Sequence, residues 1–519
     1  MNKDFMTPGV FIEEKNAFTT SIVAVPTAVP AFIGHTERAA RGTEPLAMKP
    51  TRIASFAEFE SFFGGAPKTT YELTAGTGAE PYKLQNPETQ FYLYNSMKLF
   101  YTNGGGTCWI VSIGSYTDPL DAAKFNEGLQ TLMKIEEPTM LVSPDASLLR
   151  DRDCFDFQEN MINQGGDMRD RIAILDIHGG NLEDGKGGFK DRVEASDIVA
   201  NGALFSEIKD ADGNPEESMI ERFRNAVGLQ HPDFGAAYYP WLHSTTTTAN
   251  DVGFANIRNL DQLKTLIDNE AEEQNRAGLI KQEKLIQILA ESTTLVNVTA
   301  EAQTAEKALL AVSPIFKDIL KDIRAKINVL PPSGAIAGII SSVDNEMGVA
   351  HSPANVGLSS VTAPTILISN EGQEDLNVPL NGKAVNALRA FPGKGVLVWG
   401  ARTLDGNSQD WRYIAVRRSV IMIEQSIKIA LGAYTFAPNV QNTWMDVKSA
   451  ITSFLTAQWS NGVLAGAAPT DAFDVSVGLG TTMTSNDVLN GMMLVSVKLA
   501  VTRPAEFIVL TFQQQMQVS

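Results

Sequence analysis

Arg171-Ile-Ala-Ile-Leu-Asp-Ile177, closed by Gly179-Gly180, is a short apolar run of the kind that forms a strand buried on both faces of a sheet. Upstream, Thr139-Met-Leu-Val142 is a second such run, stopped by the turn residues Ser143-Pro-Asp145. Cys108-Trp-Ile-Val111 is a third, preceded by a helical stretch from Tyr92 to Tyr101 that ends at Asn103-Gly-Gly-Gly106. Strand-sized runs separated by helical stretches predict an α/β layer on a largely parallel sheet.

Towards the N-terminus, Val10-Phe-Ile12 follows the turn Thr7-Pro-Gly9, and Ser21–Gly34 (SIVAVPTAVPAFIG) is β-branched and apolar. Pro26 and Pro30 remove ladder donors, so this stretch suits a sheet edge or a strand start. It is either an edge strand of its own sheet or an arm that adds to a neighbouring copy. Towards the C-terminus, residues 181–230 are rich in Gly, Asp, Glu and Lys and read as an exposed excursion. Residues 255–330 read as helical. Ser313-Pro314 is a helix start, and Phe316, Ile319, Leu320, Ile323 and Ile327 fall on one face before Pro331-Pro332.

In the last third, Val416, Val420, Ile423, Ile427 and Leu431 form one helical stripe that Gly432 can close, with Glu424 and Lys428 paired outside it. A second helix is expected from Thr443, with Asp446 completing a box-like cap and Trp444, Val447, Ile451, Phe454 and Leu455 as its stripe. Strands follow in Phe473/Val475/Val477 and in the alternation from Met493 to Val501. Phe507–Phe512 (FIVLTF) is apolar on both faces, and a terminal strand of that kind persists only if buried or paired. It is a central strand of its own domain or joins neighbouring copies.

Apolar residues make up 44% of the 519 and charged residues 20%, which excludes a disordered, collagen-like or disulfide-scaffold chain. The net charge of −18 argues against nucleic-acid binding, which needs a basic face. From Val361 onward, 11 basic and 11 acidic residues balance, so the first 360 residues hold the whole excess. A neutral part beside an acidic part suggests a partner-covered region and a solvated one. Two isolated cysteines, Cys108 and Cys154, make no disulfide framework, and folding in a reducing cytoplasm is expected. No secretory signal or membrane-length apolar run is visible.

The candidate chemistry is thin. Gly180-Asn-Leu-Glu-Asp-Gly185-Lys186 matches a phosphate-loop spacing, but Gly187 replaces the magnesium-binding hydroxyl and Glu183 and Asp184 would repel phosphate. Asp210 to Glu221 places oxygen ligands at calcium-loop positions, but Pro215 stands where a glycine turn is needed. A hydrolase could be assembled only from Asp176, His178 and Ser333, the last in a Pro-Pro-Ser-Gly turn, without a nucleophile elbow. His35, His178, His231, His243 and His351 lack metal-binding spacing. No catalytic, metal or cofactor residue is therefore assigned, and a structural, self-assembling protein is expected rather than an enzyme.

An ordered series of segments resembles the sheath proteins of contractile phage tails and related injection systems. It comprises Thr7-Pro-Gly-Val-Phe-Ile-Glu-Glu14, Val25–Gly34, Arg52-Ile-Ala-Ser55 with Phe59 and Phe63-Gly64, Asn103–Gly106, Arg171–Asp176 and Tyr238-Tyr-Pro-Trp241. It continues through Pro331-Pro-Ser-Gly-Ala-Ile-Ala-Gly338, Asp344, Gly348, Pro353-Ala-Asn355, Val398–Leu404, Trp411–Ile414, Val416-Arg-Arg418, Phe436-Ala-Pro-Asn439 and Pro504-Ala-Glu-Phe507. The resemblance implies a helical homopolymer around an inner tube, with baseplate and cap components as partners and the presence of a sheath paralogue left open. It implies contraction without a cofactor, cytoplasmic assembly into a virion or injection particle, and no membrane insertion. A non-contractile shell protein is the structural alternative.

Pattern and resemblance together predict an α/β and α+β multidomain chain with a mixed-sheet C-terminal core and extended β arms. The expected parts are an arm at 1–34, a small region at 35–100, a middle α/β domain at 101–360 with outer insertions near 181–230 and 255–330, and a core at 361–519 ending in an arm at 505–519. The expected inter-subunit arms carry Val10, Phe11, Ile12, Ile22, Val23 and Val25 at one end and Phe507, Ile508, Val509, Leu510 and Phe512 at the other. The expected inner-tube contact is the polar face with Asp446, Lys448, Ser449, Thr452 and Thr456.

Overall fold

A computed structural model describes residues 21–76, 80–87, 90–181, 218–228, 230–276 and 300–507. The chain divides into two compact units, one of residues 26–418 plus the chain from Arg503, the other of residues up to Val25 plus 419–502.

The larger unit is built on a nine-stranded sheet. Its strands are β1 (Pro30–Thr36), β2 (Thr51–Ile53), β3 (Cys108–Ser115), β4 (Met140–Val142), β5 (Ile172–Asp176), β6 (Gly235–Tyr239), β7 (Val356–Gly357), β8 (Val385–Phe391) and β9 (Gly395–Val398). Their order is β7-β9-β8-β6-β5-β4-β1-β3-β2. The inner run from β3 to β8 is parallel, and β2, β9 and β7 add antiparallel margins. The three runs read from the sequence are β3, β4 and β5, and every residue of β4 and β5 is buried, as a sheet covered on both faces requires.

The 21–34 stretch differs from the expected edge strand. Residues 30–36 form β1, which lies inside the sheet between β4 and β3 and is buried throughout. Pro30 is tolerated because it is the first residue of the strand, where a missing donor costs little. The sheet also runs past residue 361, because β8 pairs in parallel with β6 (Ala237 opposite Val385) and turns back as β9 through Gly393 and Gly395, both at positive φ.

Helix Ser333–Met347 packs across helix Leu93–Thr102. A Cβ on Gly334 would sit 2.6 Å from the Ser96 carbonyl oxygen, and one on Gly338 2.5 Å from that of Phe100. Glycines four apart thus face carbonyls four apart, and the two backbones approach as only Gly permits. A satellite core joins Tyr71 and Leu73 to helices Leu260–Arg276, Ala300–Val312 and Pro314–Ile327. As the spacing predicts, Ser313 Oγ accepts from Phe316 N at 3.1 Å, and all five stripe residues of the last helix are buried.

The smaller unit holds most of helix Ile414–Leu431, helix Gln441–Ser460 and a two-stranded antiparallel sheet of Phe473–Val477 and Val495–Leu499. The second helix begins at Gln441 with Val440 at its cap and no side-chain cap bond, rather than at Thr443 with Asp446 closing a box. Its stripe residues Val447, Ile451, Phe454 and Leu455 are buried, and Trp444 is half-buried. Packing of that stripe fixes the helix, so the start is free to slip by two residues.

Replacing Gly338 by Ala should lower the unfolding free energy by about 1 kcal/mol or more, read as a lower denaturation midpoint. The backbone clash outweighs the roughly 1 kcal/mol gain in helix propensity. Gly106→Ala, where a Cβ meets nothing within 4 Å, is the control and should leave the midpoint near wild type.

Candidate assembly interface

Among the described residues, strands Phe473–Val477 and Val495–Leu499 pair only with each other, and only the continuation of the second, at Ala500–Thr502, is bonded further, by Val463–Ala465. Val475 is buried and its neighbours are half-buried on the side where helix Gln441–Ser460 packs, whereas Ser496 and Lys498 face outward. The same unit exposes Ile429, Phe436, Val440, Met445, Leu479, Leu489, Met492 and Leu494. Phe436, at positive φ, is fully exposed at 102%. Exposed apolar side chains of this number make the unit a candidate interaction surface.

The expected arm residues are placed as follows. Ile22 is buried, Val23 is 77% exposed, and Val25 N donates to Ser426 Oγ at 3.0 Å. Phe507 is 71% exposed. Val10, Phe11, Ile12, Ile508, Val509, Leu510 and Phe512 lie outside the described residues. On helix Gln441–Ser460, Asp446, Lys448 and Ser449 are exposed, while Thr452 and Thr456 are half-buried and Thr456 Oγ1 donates to the Thr452 carbonyl at 2.8 Å.

The larger unit carries a cleft of about 1020 Å³. Residues Pro504–Phe507 line it together with Asn377, Arg389, Trp399 and Tyr413. At its wall Glu506 accepts from Arg402 Nη2 at 2.6 Å, Arg402 Nε at 3.0 and 3.2 Å, Asn377 Nδ2 at 2.9 Å and the Tyr413 hydroxyl at 3.1 Å. Burial alone would raise this carboxyl, but the hydrogen bonds and the Arg402 charge hold it below the usual range. The other chain end has a comparable tie: Arg418 donates to Asp344 at 2.5 and 2.9 Å and to the Thr27 carbonyl at 2.9 Å, with Thr27 Oγ1 on Asp344 at 2.5 Å. Sequence patterning missed these hubs. The available signal was a lone acid, since Glu506 is the only acidic residue after Asp487.

The residues nominated for hydrolysis are only partly brought together. Ser333 is not in a turn but opens helix Ser333–Met347, where its N–H and Oγ donate to Asp176 at 2.7 and 2.5 Å. Asp176 caps that helix in place of a local residue, which is why the Pro-Pro-Ser-Gly segment can be helical. His178 lies beyond β5, with Nε2 against the Leu149 carbonyl at 2.9 Å, and all three side chains are buried. This is a helix cap and a separate core histidine, not a relay from base to nucleophile. Burial pushes Asp176 up to about 7, against the two Ser333 hydrogen bonds.

Gly180 and Asn181 are the described part of the phosphate-loop match, and residues 182–186 lie outside the described residues. So does the calcium-loop match up to residue 217; its last acid, Glu221, completes a capping box with Ser218 on helix Met219–Ala226. Cys108 and Cys154 are buried free thiols. Among the described residues no helix is long and apolar enough to cross a membrane.

A folded carboxyl titrating near 7 against about 3.9 unfolded binds more protons in the native state, so its contribution to stability falls as pH rises from about 4 to 7. Urea unfolding of wild type and Asp176→Asn across that range should show the difference between them shifting steadily in favour of the variant. A pH-independent difference would contradict the assignment.

Residues 407–515 match the phage tail sheath C-terminal domain. No curated protein matches the sequence. Among solved structures, the chain is similar to the sheath complex of an extracellular contractile injection system, PVC, in its contracted state, at 24% identity and TM-score 0.58 over 99% of both chains. It is similar to the helical sheath of the anti-feeding prophage in its contracted state, at 24% identity and TM-score 0.58 over 98% of this chain and 100% of that one. The anti-feeding prophage baseplate structure also matches, at 24% identity and TM-score 0.55 over 99% and 100%. Residues 407–515 thus match the phage tail sheath C-terminal domain, and the chain shares the fold of the contracted sheath structures over nearly its whole length.

Proposed function

We propose that the chain is the sheath subunit of a contractile injection device, polymerising into a helical cylinder around an inner tube and contracting to drive that tube through a target envelope. The observation that carries this reading is the end-to-end likeness to sheaths in the contracted state, on a chain whose two-stranded C-terminal sheet pairs with no third named strand among the described residues. In this reading the strand-like arms of neighbouring copies add to that sheet. Val10, Phe11, Ile12, Ile22, Val23 and Val25 serve at one end, and Phe507, Ile508, Val509, Leu510 and Phe512 at the other. Main-chain bonding tolerates rigid rotation of the bodies it links, as a contracting lattice demands. The work is held in subunit packing, so the subunit needs no catalytic residue, metal or cofactor. A baseplate and a cap are its end partners. The parts at 1–34, 35–100, 101–360 and 361–519 are assigned to arm, small region, outward middle domain and tube-side core. Assembly takes place in the cytoplasm before the particle is released.

Deleting residues 1–20 or 508–519 should leave a folded, soluble subunit with an unchanged thermal melt that forms no striated tubes in negative-stain images. Normal long tubes from either deletion would sink the arm assignment. For tube contact, Asp446→Lys combined with Lys448→Glu should weaken co-sedimentation with the inner tube about tenfold while sheath self-assembly persists. Unchanged co-sedimentation would move the contact off this helix face.

A further inference from the structure

Glu506 is the last acidic residue of the chain, and it is spent inward: its side chain is 22% exposed and that of its partner Arg402 only 3%. Arg402 is itself held on three sides. Its Nη1 donates to the Asn377 and Gly406 carbonyls at 3.0 and 3.3 Å. Its backbone N–H donates to Asn386 Oδ1 at 2.7 Å, and its carbonyl accepts from Asn386 Nδ2 at 2.8 Å. Asn386 is a buried residue of β8, so an unbroken chain of hydrogen bonds runs from Glu506 through Arg402 into the nine-stranded sheet. The next tie upstream, Arg503 to Asp410 at 3.3 Å, is exposed and contributes little.

A strand that joins another subunit can transmit force only if its root is fixed to its own body. We propose that Glu506 is that fixture: its clasp by Arg402, Asn377 and Tyr413 anchors the C-terminal arm, so that tension on the arm reaches the sheet instead of peeling residues 503–507 away. This rests on the sheath reading and adds the residue that makes the arm a tether. A bidentate arginine suits the task, because two parallel bonds fix direction as well as position.

The test uses the full chain with Glu506→Ala and Glu506→Gln, the latter keeping shape and part of the hydrogen bonding if the former disturbs folding. In the isolated subunit, chymotryptic cleavage after Phe507 should speed up about tenfold or more in Glu506→Ala and by less in Glu506→Gln, with cleavage elsewhere unchanged. Tubes built from Glu506→Ala should be several-fold shorter than wild type in negative-stain images. Unchanged cleavage overturns the proposal, and so do tubes of normal length from a variant whose arm root is cleaved freely. If the wild-type chain itself forms no tubes, the sheath reading fails. That outcome differs from failure of the anchor, because the cleavage measurement needs no assembly.

Discussion

The larger unit depends on two buried carboxylates that stand at the ends of neighbouring strands and satisfy helix termini from a distance. Asp145, just past β4, accepts from Tyr92 N and Leu93 N at 2.6 and 3.0 Å and from His35 N at 2.7 Å. Asp176, the last residue of β5, accepts both Ser333 donors. A helix start buried without such partners would leave donors costing about 1–3 kcal/mol each. Each acid therefore fixes where one helix begins against the sheet, and the two helices then meet through Gly334 and Gly338. The order of dependence runs from sheet to carboxylate, to helix start, to helix contact.

The same chemistry recurs where the chain passes from one unit to the other. The passages fall at 25/26, 418/419 and 502/503. On the larger unit's side of each lies a tied residue: Thr27 and Arg418 share Asp344, and Glu506 is clasped by Arg402. Buried ion pairs add little net stability, because desolvation offsets the attraction, but removing one partner is costly. Their value here is positional. They fix the points at which chain leaves and re-enters, which is what a protein whose ends serve other copies would need.

Elements formed by local pattern were legible in the sequence. The runs at 108–111, 139–142 and 171–177 and the helix opened by Ser313-Pro314 follow from burial periodicity and capping. What was not legible depends on partners distant in sequence. Nothing near Pro30 says that β1 is flanked by strands more than 70 residues away. Nothing near Ser333 says that an acid 157 positions upstream caps it, so the local turn signal won. The start at Gln441 was misplaced because a plausible cap at Thr443 carries about 1 kcal/mol, less than the stripe it would have to override. For the interface, the sequence indicated the alternating strands but not their open edges, since an edge is a property of the whole sheet.

The smaller unit's sheet poses the remaining physical question. Two strands alone are marginal in water, and a helix on one face covers only half the problem. Among the described residues the outer edges of both strands meet no third named strand, and Phe436, Leu489 and Leu479 stand in solvent. Soluble proteins blunt such edges with charge, yet Lys498 and Asp474 are the only charged residues in these two strands, and they pair with each other at 3.9 Å. Under the proposed sheath role, so little protection against strand addition has a reason: strand addition from a neighbouring copy would be its use. The same role would give the neutral charge balance after Val361 a physical reason, because a region covered by other copies would lose affinity for every unpaired charge it carried into the interface.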